Sequence, residues 1–73
     1  MRKFELTKEY IELYKLLKYE GLVASGGDAK TAIDNRLVRV NGEVETRRRK
    51  KIIPGDVVEY GDERIHVHMP AQA

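Results

Sequence analysis

Residues 37–45 read Leu37-Val38-Arg39-Val40-Asn41-Gly42-Glu43-Val44-Glu45. The period of two on either side of Asn41-Gly42 predicts antiparallel strands, Val38–Val40 and Glu43–Glu45, around a tight turn. A two-residue turn would pair Val40 with Glu43 and Arg39 with Val44, mixing apolar and charged groups on both faces. A three-residue loop or a bulge would pair Val40 with Val44 and keep the valines on one side. Because one face of a small sheet must be buried, the longer loop is expected.

Downstream, Arg47-Arg48-Arg49-Lys50-Lys51 is followed by Ile52-Ile53-Pro54-Gly55-Asp56, where Pro54 and Gly55 suit a type II turn. Val57–Tyr60 and Glu63–Val67 then form a hairpin around Gly61-Asp62, with Glu59 facing Arg64 and Val58 facing Ile65. Residues 70–73 are expected to fray.

Upstream, the period changes to that of a helix. Ser25 and Asp28 have the spacing of an N-cap and N3 pair, and Ala29, Ala32 and Ile33 share one face of the helix that follows. Lys30 lies off that face. Gly26 and Gly27, in the first turn, either permit a tight turn between helices, the preferred reading, or leave amides open to a phosphate at the helix N-terminus.

A first helix is predicted over about 8–20. Thr7 would be its N-cap, Leu6 and Ile11 a hydrophobic staple, and Gly21 its left-handed end. Tyr10, Leu13, Tyr14 and Leu17 fall on its core face, while Leu16 and Tyr19 widen that stripe or lie exposed. Phe4-Glu5-Leu6 alternates as a short leading strand. The order predicts an α+β fold, two short N-terminal helices packed on a small, mostly antiparallel sheet.

The chain's 73 residues give one domain, with its core over about 7–69. So short a chain has a thin core with little room for a deep catalytic pocket. The absence of cysteine excludes disulfides and thiol chemistry. With no apolar run of membrane length and no apolar stretch at its start, a cytoplasmic protein that does not engage a membrane is expected.

Charge is unevenly placed. Residues 30–51 carry eight bases (Lys30, Arg36, Arg39, Arg47, Arg48, Arg49, Lys50, Lys51) against three acids (Asp34, Glu43, Glu45), whereas the rest carries six bases and nine acids. Five adjacent cations repel one another, and solubility is better served by interspersed charges. A surface that captures phosphates explains the same cost directly. Arginine forks match phosphate oxygens. No aromatic residue lies within 30–51, so recognition of backbone and shape is expected ahead of base stacking.

No nucleophile elbow, Walker loop or dinucleotide fingerprint is present. Ser25 reads as a cap rather than a nucleophile, and Glu12 and Asp34 as solvated helix acids. His66 and His68 share one strand face but lack an obvious third ligand, so they read as polar edge-strand residues and no metal site is expected. No catalytic residue, cofactor or small-molecule substrate is expected.

Ser25-Gly26-Gly27-Asp28-Ala29-Lys30, Ile33, Val38-Arg39-Val40-Asn41-Gly42-Glu43, Ile52 and Pro54-Gly55-Asp56-Val57-Val58 together resemble the S4 RNA-binding domain, or αL motif, over about residues 7–60. The Ser-Gly-Gly-x-Ala-Lys block and the brevity of the chain look like its stand-alone bacterial branch of YbcJ-like and YaaA-like proteins. The resemblance implies non-catalytic binding of structured RNA, ribosomal or transfer RNA, with the ribosome as a candidate partner. It maps the RNA face onto Lys30, Arg39, Asn41, Arg47, Arg48, Arg49, Lys50 and Lys51. Two positions depart from the family pattern. Gly26 stands where an Arg usually follows the Ser, which shifts weight onto Lys30 and the later run. Arg36 stands where a Gly usually ends the second helix, so Asn35 is expected to take the left-handed conformation there. The competing function is a ribosome-associated or regulatory module that binds an acidic protein surface.

Overall fold

The computed structural model describes residues 2–70; positions 71–73 of the expected frayed tail lie outside them. The order of elements is β1 (Arg2–Glu5), β2 (Ile11–Glu12), α1 (Leu13–Tyr19), α2 (Gly26–Asp34), β3 (Val38–Val40), β4 (Glu43–Val44), β5 (Lys51–Ile52), β6 (Val57–Tyr60) and β7 (Glu63–His68). Five strands form one sheet in the order β1-β7-β6-β3-β4, with only the β1–β7 pairing parallel. β2 and β5 form a separate antiparallel pair. The fold is α+β, as expected.

The alternation that predicted the strands also sets their faces. Val38, Val40, Val58, Ile65 and Val67 are buried on one side, where they meet Leu13, Leu16 and Leu17 of α1 and Ala29, Ala32 and Ile33 of α2 in a single apolar cluster. The two alanines present little bulk where α2 enters this core. The β6–β7 hairpin has the expected register, with Val58 opposite Ile65 and Glu59 opposite Arg64.

The β3–β4 turn differs from expectation. Arg39 pairs with Val44 and Val40 with Glu43, the register of a two-residue turn. Asn41 and Gly42 have φ of 53° and 86°, which fits a type I′ turn. The premise of a buried face fails at β4, an edge strand whose two residues are both exposed. Val44 is left 47% exposed.

The first helix is shorter than its apolar period suggests. Thr7 is an exposed loop residue and Glu12 is the N-cap. Leu6 and Ile11 are buried, but outside the helix, so they form no staple across its first turn. The backbone of Ile11 and Glu12 pairs instead with Ile52 and Lys51, a tertiary contact that overrides local helical preference. Tyr10 therefore leaves the core face and is 40% exposed.

Both helices end in the same hydrogen-bonded motif. Gly21, φ 70°, follows α1, with bonds from Gly21 N to Lys18 O and from Leu22 N to Leu17 O. After α2, Arg36 N bonds Ile33 O and Leu37 N bonds Ala32 O, which is the Schellman pattern. Arg36 itself is left-handed at φ 61°, while Asn35 stays at −84°. The two closing bonds require the turn one residue after the cap, so steric cost at Arg36 does not move it to Asn35.

His66 and His68 lie on β7, which sits between β1 and β6 and is not an edge. His66 is half-buried, and its Nε2 has no partner among the described residues. No cluster of three or more ligating side chains occurs among the described residues.

Candidate nucleic-acid interface

The first amides of a helix lack partners within it, and the Glu12 side chain does not supply one for α1. The basic run does. Leu13 N donates to Lys50 O at 2.9 Å and Tyr14 N to Arg48 O at 3.1 Å. Together with the β2–β5 pairing, these bonds fasten the backbone of residues 48–52 across the start of α1. Negative carbonyl ends thereby meet the positive end of the helix, and the charged side chains are left on the surface.

Those side chains do not all point one way. Arg47, Arg49, Lys50 and Lys51 line a single open hollow of about 410 Å³, with no other residue in its wall among the described residues. Arg48 turns instead to α2, where its guanidinium forks both carboxylate oxygens of Asp34. That pairing holds the Asp34 carboxyl below its usual range. Lys30 is one helical turn before Asp34 and shares its face. Its ammonium lies 4.9 Å from the centre of the Tyr14 ring.

Several cations carry an internal counter-charge. Glu45 accepts from the backbone amide of Arg47 and from two of its guanidinium nitrogens, at 2.9–3.0 Å. The Arg47 side chain is the main cause of a Glu45 pKa lowered to about 2. Glu12 takes Lys15 at 3.2 Å and Arg49 at 3.8 Å. Glu12 and Asp34, expected as solvated helix acids, are therefore partners of the basic surface. Lys30, Lys50 and Lys51 have no carboxylate within 4.0 Å among the described residues. Arg47 and Arg49 remain 70% and 75% exposed despite their pairs. Exposed pairs of this kind are weak and screened by water, and a polyanion can exchange with them.

The remaining candidates lie apart. Arg39 alternates with buried Val38 and Val40, so it projects from the opposite face of the sheet, where its strand neighbours are Val44 and Glu59. The Asn41 side chain is used by the fold: it donates to Asp56 Oδ1 at 3.0 Å and accepts from Val57 N at 2.9 Å. Ser25 caps α2 by accepting from Asp28 N at 3.1 Å. A methyl group at Gly26 or Gly27 would meet nothing nearer than 3.7 Å, and neither has positive φ, so close packing requires glycine at neither position.

Two aromatic residues absent from the sequence reading of this surface touch its cations. Lys51 Nζ lies 4.9 Å from the centre of the Tyr10 ring, as Lys30 does from Tyr14. Sequence distance hid both contacts, because they arise from the pairing of β2 with β5 and the approach of α2 to α1.

The same arrangement of elements occurs in known proteins. The solution structure of YbcJ from Escherichia coli, described as revealing an αL motif involved in RNA binding, superposes with a TM-score of 0.72 at 43% identity, covering 93% of this chain and 87% of that one. YbcJ of Escherichia coli (strain K12) is 44% identical over 68 residues, which span 92% of this chain and 97% of the relative. RlbA of Bacillus subtilis (strain 168), named a probable ribosome maturation protein, is 43% identical over 54 residues, 74% of this chain and 76% of the relative. Residues 4–68 match the family model of the S4 domain, and the chain belongs to that family.

Proposed function

We propose that this protein binds structured RNA, gripping backbone phosphates with Arg47, Arg49, Lys50 and Lys51 and flanking them with Lys30 and Arg48. The observation that carries this reading is the open hollow lined, among the described residues, by four cationic side chains. Successive phosphates satisfy the charged ends of these side chains and release their condensed counterions. Membership of the S4 domain family, which is non-enzymatic, agrees with a binding role. The αL motif of YbcJ is described as involved in RNA binding, and the name of RlbA refers to ribosome maturation. Ribosomal RNA in the cytoplasm is accordingly the favoured target, with transfer RNA next.

Filter binding of wild-type protein to a folded ribosomal RNA fragment and to a transfer RNA, over a series of salt concentrations, tests the reading. Engagement of all four cations predicts that log K falls with log salt at a slope of about −2.8 to −3.6, taking roughly 0.7–0.9 per phosphate. Absence of binding, or binding insensitive to salt, contradicts it.

A further inference from the structure

The contact of Lys51 with Tyr10 links two hollows. On one side is the four-cation hollow; on the other its ammonium covers the ring of Tyr10 at 4.9 Å. Tyr10 in turn lines a groove of about 560 Å³ whose wall also holds Tyr19, the acids Glu5, Glu9 and Glu12, and the cations Lys8 and Lys15. That volume is within the range of sites for small planar ligands. Tyr10 and Tyr19 are 40% and 68% exposed, so two large rings face water here without being needed for the core.

The charges of the two hollows differ. The groove mixes Glu5, Glu9 and Glu12 with Lys8 and Lys15, so it attracts phosphate less than the all-cationic hollow does, and its carboxylates accept hydrogen bonds from base amino and imino groups. A ring with a polar, hydrogen-bond-accepting surround suits a nucleobase, while the adjoining cations suit its backbone.

We infer that the groove receives an unpaired nucleobase, which stacks on Tyr10 while the neighbouring phosphates lie in the hollow of Arg47, Arg49, Lys50 and Lys51. This inference rests on the RNA-binding reading above and adds to it: the preferred target is a duplex interrupted by a bulged or flipped-out base. The hydroxyl of Tyr10 has no part in the stack; the ring does.

The test compares a synthetic RNA hairpin carrying one bulged adenosine with the same hairpin fully paired. Wild-type protein is expected to bind the bulged hairpin roughly 5- to 150-fold more tightly, the range of one base–aromatic stack. Tyr10→Phe keeps that preference. Tyr10→Ala loses it and binds the two hairpins with equal affinity. Equal wild-type affinity for the two hairpins, or a preference that survives Tyr10→Ala, overturns the stacking site and leaves phosphate binding standing. Failure of wild-type protein to bind either hairpin overturns both readings. A circular dichroism melt of each variant confirms that it is folded at the assay temperature.

Discussion

Two adjacent isoleucines should respond to very different degrees to the same substitution. Ile52 is fully buried, opposite Ile11 in the β2–β5 pair, whereas Ile53 is 50% exposed. Ile52→Ala removes a side chain from a close-packed site and leaves a cavity, a change that costs about 2–5 kcal/mol. A chain of this length is stabilised by about 4–11 kcal/mol in all, so the loss is a large share of the total. Ile53→Ala gives up only part of a half-exposed contact, about 1 kcal/mol or less. Urea denaturation followed by circular dichroism gives both values from the midpoints, provided the slopes agree. A Tm about 4–8 °C lower per kcal/mol provides a second reading. The comparison matters to function because the register that buries Ile52 also exposes Lys51 beside Tyr10. Equal losses at the two positions, or a larger one at Ile53, would refute that register and the placement of the cations with it.

Other positions give independent tests. Arg36→Gly relieves a left-handed residue at φ 61° and should raise stability by about 1 kcal/mol; a lower Tm would contradict the helix-end geometry. Asn41→Ala removes two side-chain hydrogen bonds that join the β3–β4 turn to Asp56 and Val57, and should cost about 1–3 kcal/mol in the same denaturation assay; an unchanged midpoint would show those bonds to be idle. Glu45 has its pKa lowered from the usual 4.5 to about 2 by Arg47. The stabilisation it provides is full above pH 4.5 and fades as pH falls through 2. Glu45→Gln should therefore lose less stability than wild type between pH 5 and pH 2, and identical losses would count against the pairing.

The elements whose signals were local could be read from sequence, and those made by tertiary contact could not. Ser25 with Asp28 marked the start of α2, Gly21 the end of α1, and Gly61-Asp62 fixed the β6–β7 register, because each depends on residues within one turn. The N-terminus of α1 failed this test. Thr7 and the Leu6–Ile11 spacing satisfy a local capping pattern, but the backbone of Ile11 and Glu12 is taken by Ile52 and Lys51, far along the chain. The β3–β4 register was missed for a related reason: alternation was given priority over Asn-Gly turn chemistry, and the edge position of β4 removes the need to bury a face. Arg36 shows the converse: the two hydrogen bonds that close α2 hold it left-handed although steric cost favoured Asn35 for that role.

The basic run was visible at once as a candidate surface, but its internal division was not. A sequence shows five adjacent charges; only the fold shows that Arg48 faces Asp34 while the other four line one hollow. Nor does it show that Arg47 and Arg49 each bring a carboxylate partner, so that part of the apparent charge is already balanced. The aromatic contribution was missed because Tyr10 and Tyr14 reach Lys51 and Lys30 through space.

The central claim is that four cations act on RNA phosphates as one surface, and the salt slope of binding measures this most directly. Wild type and the double variant Arg49→Gln, Lys50→Gln should be compared on one folded ribosomal RNA fragment. Removal of two phosphate contacts predicts a slope shallower by about 1.4–1.8. Parallel lines for the two proteins would contradict the claim.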